Sequence, residues 1–92
     1  MRSFIMVVVR KQLIVKNKQG LHARPAALFV QVANKFDARI TVKRGKEEIN
    51  GKSIMGIIML GAEKDSQIVI EAEGDDAHMA MSELEKIISN EE

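Results

Sequence analysis

The spacing of apolar residues changes repeatedly along this 92-residue chain, and this limits the folds available to it more than any other feature. Val7 to Lys16 is rich in β-branched residues, which predicts a first strand with Leu13 and Val15 facing the core. From Ala23 to Asn34 the apolar residues recur at helical intervals, which predicts an amphipathic helix. Asn17-Lys18-Gln19-Gly20, between the two, has the composition of a turn.

The middle of the chain predicts a hairpin followed by a short helix. Arg39 to Arg44 and Glu47 to Asn50 are the two strands, and Gly45-Lys46 forms the turn between them. Ser53 then stands where a helix cap is expected, at the start of an apolar helix from Ile54 to Met59.

The last third of the chain predicts a further strand followed by a helix. Gln67 to Glu73 alternates as a strand, and Gly74-Asp75-Asp76 supplies a turn and a helix cap. One face of the final predicted helix is formed by Ala77, Ala80, Met81, Leu84, Ile87 and Ile88.

The predicted order is therefore βαββαβα in a single domain, residues 1–92. Four strands in an antiparallel sheet, with three helices on one face, make a two-layer α+β sandwich. The other sheet face, carrying residues such as Thr41, Lys43, Val69 and Glu71, should be largely solvated.

Charge is distributed unevenly along the chain. Residues 1–36 contain no acid and carry a formal charge of +7, whereas the remainder carries −6, so the net charge is only +1. That balance, with three aromatic residues in all, argues against a nucleic-acid binder. The absence of cysteine and the presence of only two histidines argue against a metal site, and we expect no cofactor. No apolar run approaches the ~20 residues that span a bilayer. The absence of cysteine fits a cytoplasmic protein, which is what we expect.

The segment around His22 is suited to hold a phosphoryl group. An N-cap at His22 leaves the backbone N–H groups of Ala23 and Arg24 free for phosphate oxygens at the positive end of a helix. Arg24 adds a planar cation that matches phosphate, and Pro25 fits the first helical turn without a donor to lose. Gly20 permits the chain reversal that precedes the site. A neutral imidazole at this place is a candidate nucleophile.

The sequence Gly20-Leu21-His22-Ala23-Arg24-Pro25-Ala26 resembles the active-site signature of the HPr family, the histidine-containing phosphocarriers of the bacterial phosphoenolpyruvate:sugar phosphotransferase system. The resemblance runs from about Val8 to the end, and residues 1–7 would be an N-terminal extension. It implies an open-faced β-sandwich and a carrier, not an enzyme. His22 would accept phosphate from enzyme I, Arg24 would hold it, and IIA components would receive it.

A second segment, from Gly51 to Gly61, resembles the regulatory-serine region of the same family. The resemblance implies that Ser53 is phosphorylated by an HPr kinase/phosphorylase, after which the protein acts with a catabolite regulator. We expect an apolar partner-binding patch on a monomer, although each of its residues in the predicted helix after Ser53 could equally be core. The patch residues are Ala23, Ala27, Ile54, Met55 and Ile58.

Two alternatives to a phosphoryl carrier remain at this point. A purely regulatory module would act through Ser53 phosphorylation and protein binding, but it would have no need of the His22–Arg24 pair. A nucleic-acid-binding or metal-binding α+β domain is disfavoured by charge and by ligand count.

Overall fold

A computed structural model describes residues 6–92, and its elements follow the predicted order. The strands are β1 (Val8–Ile14), β2 (Arg39–Arg44), β3 (Glu47–Asn50) and β4 (Gln67–Glu73), and the helices are α1 (Ala23–Ala33), α2 (Ile54–Leu60) and α3 (Ala77–Ile88). The predicted extension, residues 1–7, lies mostly outside the described residues. Within the described part, Val7 packs against the core and its carbonyl accepts a hydrogen bond from the Gly74 N–H at 2.9 Å.

The four strands form one antiparallel sheet in the order β1-β4-β2-β3. The central strand β4 pairs with β1 through Gln12↔Val69 and with β2 through Lys43↔Val69. Helices α1 and α3 pack against each other, α3 packs on the sheet, and α2 packs on α1 and β3. This is the α+β open-faced sandwich that the sequence predicted.

The core lies between the sheet and the helical layer. Alternate residues of β2 and β4 point into it, as expected for a sheet with one covered face. Phe29 of α1 and Leu84 of α3 are fully buried against them. The buried strand residues are Ile40, Val42, Ile68, Ile70 and Ala72.

The uncovered sheet face is less solvated than predicted. Thr41, Lys43, Val69 and Glu71 are all half-buried. The Lys43 Nζ lies 3.2 Å from a carboxylate oxygen of Glu71, and the Arg10 Nε lies 3.4 Å from the same oxygen. Long charged side chains on neighbouring strands therefore cover one another, with their aliphatic portions lying along the sheet.

Asp76 has a different role from the predicted helix cap. It occupies the N-cap position of α3, but its side chain makes no capping hydrogen bond. Its two carboxylate oxygens instead accept from the backbone N–H groups of Asp37, at 2.8 Å, and Ala38, at 2.9 Å. The sequence predicts a helix cap here from the position of Asp76 just before α3. Its actual hydrogen-bond partners lie nearly forty residues away, which no local pattern shows.

Candidate phosphoryl-acceptor site

His22 stands where the β1–α1 loop becomes helix. It is the N-cap of α1, with the extended backbone angles φ −123° and ψ 155°. Its side chain is exposed and makes no capping hydrogen bond, and its backbone N–H donates to the Gly20 carbonyl at 2.9 Å. The imidazole is therefore accessible to a reaction partner while its backbone is held in place.

The loop before His22 is fixed by close backbone packing. Gly20 has a φ of +78°, and a Cβ on it would lie 2.6 Å from the Ala62 carbonyl oxygen. The N–H of the next residue, Leu21, donates to that same carbonyl at 2.8 Å, and the Leu21 side chain is buried. Glycine is thus required by both the backbone angle and the space, which is a stronger requirement than the chain reversal that we predicted.

The first turn of α1 presents donors to solvent. Within residues 6–92, neither the Ala23 nor the Arg24 N–H donates to a protein acceptor, as expected for the first turn of a helix. This turn also contains no acidic residue. Ala23 has a φ of +36°, an angle that a non-glycine residue seldom adopts. The chain therefore turns abruptly at Ala23, between the extended His22 and the helix.

His22, Ala23, Arg24 and Pro25 line one open cleft of about 550 Å³. Gly20 is buried and is not among the residues that line this cleft. Sequence reasoning missed the rest of the lining, which comes from the β1–α1 turn, from α1 and from the end of the chain: Asn17, Lys18, Gln19, Leu28, Lys86, Ile87, Asn90 and Glu92. No local signal identifies the last four, because only folding brings the end of α3 to this place.

Arg24 is available to an anion. In the part of the chain that the structure describes, no carboxylate lies within 4.0 Å of its guanidinium, and the side chain is exposed. Lys18 and Lys86 line the same cleft, so the cations outnumber the single acidic side chain there, Glu92. The cleft can therefore attract and hold a phosphoryl group through charge-assisted hydrogen bonds.

Ser53 is the N-cap of α2, as predicted. Its Oγ accepts a hydrogen bond from the Gly56 N–H at 3.1 Å, and the residue is half-buried. It does not line the cleft that contains His22. The preceding residue, Lys52, donates from Nζ to the Phe36 carbonyl at 2.6 Å, just beyond the end of α1. The start of α2 is thus linked to the end of α1.

The expected partner-binding residues are all at the surface of the helical layer. Ala23 and Ala27 are exposed on α1, and Ile54, Met55 and Ile58 are 38%, 62% and 42% exposed on α2. The core side of α2 is supplied by two other residues, Ile57 and Leu60. Two further exposed apolar residues extend the surface, Leu28 of α1 and Met59 of α2. These five expected and two additional residues are called the apolar surface below.

The described residues contain little that would hold a metal ion. No group of three or more His, Cys, Asp or Glu side chains that could hold one is found among residues 6–92. The second histidine, His78, is exposed on α3 and does not line the cleft. Over the same residues, no helix is both long and apolar enough to cross a bilayer.

Known proteins are similar to this chain over most of its length. The family described as the PTS HPr component phosphorylation site matches residues 9–90. The HPr-like protein Crh of Halalkalibacterium halodurans is 45% identical over 84 residues, covering 91% of this chain and all of that protein. The phosphocarrier protein HPr of Xylella fastidiosa is 40% identical over 83 residues, covering 90% of this chain and 93% of that one.

A solved structure shares the whole fold. The crystal structure of the phosphocarrier protein HPr from Bacillus anthracis superposes with a TM-score of 0.85 at 46% identity, covering 88% of this chain and 96% of that one. The fold and the matches over nearly all of the chain define a small domain of the phosphocarrier class. The chain belongs to the HPr family.

Proposed function

We propose that His22 carries a phosphoryl group from phospho-enzyme I to sugar-specific IIA components. The observation that most supports this is one cleft that holds both an exposed His22 imidazole and an Arg24 guanidinium, which has no carboxylate partner among the described residues. Family membership supplies the general role as a phosphocarrier. The particular residues and partners are the proposal.

The transfer step requires positioning and charge stabilisation more than acid–base chemistry. The lone pair of a neutral imidazole nitrogen of His22 forms the new bond to phosphorus. The bond from phosphorus to the donor breaks, and the donor departs with that electron pair. Arg24 and the free N–H groups of Ala23 and Arg24 face the phosphoryl oxygens as charge builds on them. The reverse sequence delivers the group to the acceptor.

The apolar surface is the docking site in this proposal. It lies on the same helical layer as the cleft, and Ala23 and Leu28 belong to both. Exposed apolar side chains in such a group are typical of a protein–protein interface, and Met55 and Met59 can adapt to partners of different shape. We propose that a monomer in the cytoplasm presents this surface to enzyme I and to IIA components in turn.

Ser53 is proposed as a regulatory phosphorylation site for an HPr kinase/phosphorylase. Its hydroxyl is at the edge of the apolar surface, directly before Ile54. A phosphate there adds between −1.5 and −2 charge beside apolar side chains, at pH 7. Desolvating that charge would weaken docking of enzyme I, and the same charge would create a binding feature for a catabolite regulator.

The proposal is tested with purified chain, phosphoenolpyruvate, magnesium ion and enzyme I. We expect an acid-labile, alkali-stable adduct of about 80 Da, the mass of one phosphoryl group. His22→Ala should abolish the adduct, and His78→Ala should retain it, because His78 is the exposed histidine outside the cleft. An adduct that survives in His22→Ala contradicts the assignment.

A purely regulatory module is the second candidate, and the 45% identity to an HPr-like protein named Crh favours it. In that case enzyme I would leave His22 unlabelled, while ATP and an HPr kinase/phosphorylase would label Ser53. The same mass measurement, made on Ser53→Ala after incubation with phosphoenolpyruvate and enzyme I, separates the two candidates. A phosphocarrier gains the adduct, whereas a purely regulatory module does not.

A further inference from the structure

Asn17 is the one buried polar residue among residues 6–92, and its side chain joins two distant parts of the chain. It is 2% exposed. Its Nδ2 donates to the Ile87 carbonyl at 2.8 Å and to the Asn90 carbonyl at 3.0 Å. Ile87 belongs to the last turn of α3, and Asn90 follows two residues after the helix ends at Ile88. Asn17 therefore caps α3 from a loop seventy residues away in sequence.

The backbone of Asn17 continues this connection to His22. The Asn17 carbonyl accepts from the Gly20 N–H at 3.0 Å, and the Gly20 carbonyl accepts from the His22 N–H at 2.9 Å. Three successive hydrogen-bonded steps thus lead from the end of α3 to the backbone of the proposed phosphoryl acceptor. A displacement of Asn17 would move the turn that sets the position of His22.

Asn17 also joins two segments that line one cleft. The turn that contains it lines the cleft together with His22, and Ile87 and Asn90 line it from the end of the chain. The Lys16 N–H adds a parallel bond to the Ile88 carbonyl at 2.9 Å. These bonds therefore fix the distance between the loop that carries His22 and the end of α3.

One polar atom of the buried Asn17 side chain has no protein partner among the described residues. With both Nδ2 protons in use, the Asn17 Oδ1 is buried and has no partner among the described residues. Leaving such an acceptor unpaired costs about 1–3 kcal/mol, which offsets much of what two neutral hydrogen bonds contribute. Buried unpaired groups of this kind call for an explanation, and a role at the functional site is one.

We propose that Asn17 is a positioning residue for phosphoryl transfer: it holds the loop before His22 against the end of α3, and so keeps the imidazole at the geometry needed for attack on phosphorus. This inference rests on the proposed function of His22. Asn17 itself is buried, so in this proposal it acts through the loop that holds His22 and not by its own contact with the phosphoryl group. Small displacements of reacting groups lower transfer rates strongly, by up to about 100-fold for 1 Å.

The test is steady-state phosphorylation by enzyme I, with this chain as the varied substrate. Asn17→Ala should lower kcat at least about tenfold and leave KM unchanged, because the apolar surface that docks enzyme I is intact. A merely structural role gives the opposite pattern. Partial unfolding reduces the competent fraction, which raises the apparent KM and leaves kcat unchanged.

Two further variants keep the test decisive. Asn17→Ser retains one donor, so it should fold more readily and show a smaller loss of kcat. Val42→Ala, in the buried part of β2, is the stability control and should move only the apparent KM. An unchanged kcat in both Asn17 variants overturns the inference. Failure of the unsubstituted chain to be labelled at His22 would instead overturn the proposed function.

Discussion

The Asp76 carboxylate accepts a hydrogen bond from the Ala38 N–H at 2.9 Å, which ties the start of α3 to the segment entering β2. A second bond, from the Asp37 N–H at 2.8 Å, uses the other carboxylate oxygen. Hydrogen bonds to a charged group contribute about 1.5–3 kcal/mol each, and the loss is smaller where the donor reaches water. The helical layer and the sheet are thus joined here by a polar contact as well as by apolar packing.

Asp76→Ala should lower the free energy of unfolding by about 2–4 kcal/mol, because two backbone donors lose a charged acceptor. Urea unfolding followed by circular dichroism measures the change. Asp75→Ala is the matched control, since Asp75 is exposed and adjacent, and it should change stability by less than about 0.5 kcal/mol. Equal losses in the two variants would mean that the charge of this segment, not the pair of bonds, is responsible.

Arg24→Lys should slow phosphorylation of His22 by about 10–100-fold, because an ammonium cannot reproduce the two-pronged contact of a guanidinium with phosphoryl oxygens. The range corresponds to the loss of one charge-assisted hydrogen bond in the transition state. The measurement is kcat/KM for transfer from phospho-enzyme I. Lys64→Ala, an exposed charge change in the α2–β4 loop, is the control. A rate for Arg24→Lys equal to that of the unsubstituted chain would remove Arg24 from the site.

Gly20→Ala should be considerably more damaging than Gly45→Ala. Both glycines have positive φ, +78° and +59°, so both substitutions impose backbone strain of about 1–2 kcal/mol. Only Gly20 faces a close neighbour, with its added Cβ 2.6 Å from the Ala62 carbonyl oxygen, whereas nothing lies within 4 Å at Gly45. We therefore expect Gly20→Ala to have a lower melting temperature than Gly45→Ala, and the difference measures the cost of the steric contact apart from backbone strain. The idea fails if the two melt at the same temperature.

Ser53→Ala should cost about 1 kcal/mol of stability through loss of the N-cap bond to Gly56, while Ser53→Asp should retain most of it, since Asp is also a favoured cap. In the enzyme I assay the order is reversed. Ser53→Asp should raise KM by placing a charge beside the apolar surface, and Ser53→Ala should leave it unchanged. A normal KM in Ser53→Asp would argue that this part of the surface does not dock enzyme I.

Much of the site could be predicted from sequence because its parts are local. His22, Arg24 and Pro25 lie within four positions of one another, so helix geometry alone places them together. The N-cap role of Ser53 was also predictable, since capping involves atoms three residues apart. The sequence predicts that α2 contributes apolar residues to a surface patch, but it does not show which of them are exposed. The side of α2 that is buried depends on the elements that pack against it.

The order of elements and the candidate nucleophile can be predicted from the chain alone, because apolar periodicity and capping residues act over a few positions. Three features depend on long-range packing: the end of α3 lines the cleft, Asn17 joins that end to the loop before His22, and Asp76 binds the backbone ahead of β2. Each of these contacts joins residues about forty or more positions apart. No local pattern encodes such a pairing, since it arises only when the packing of the apolar faces brings the segments together.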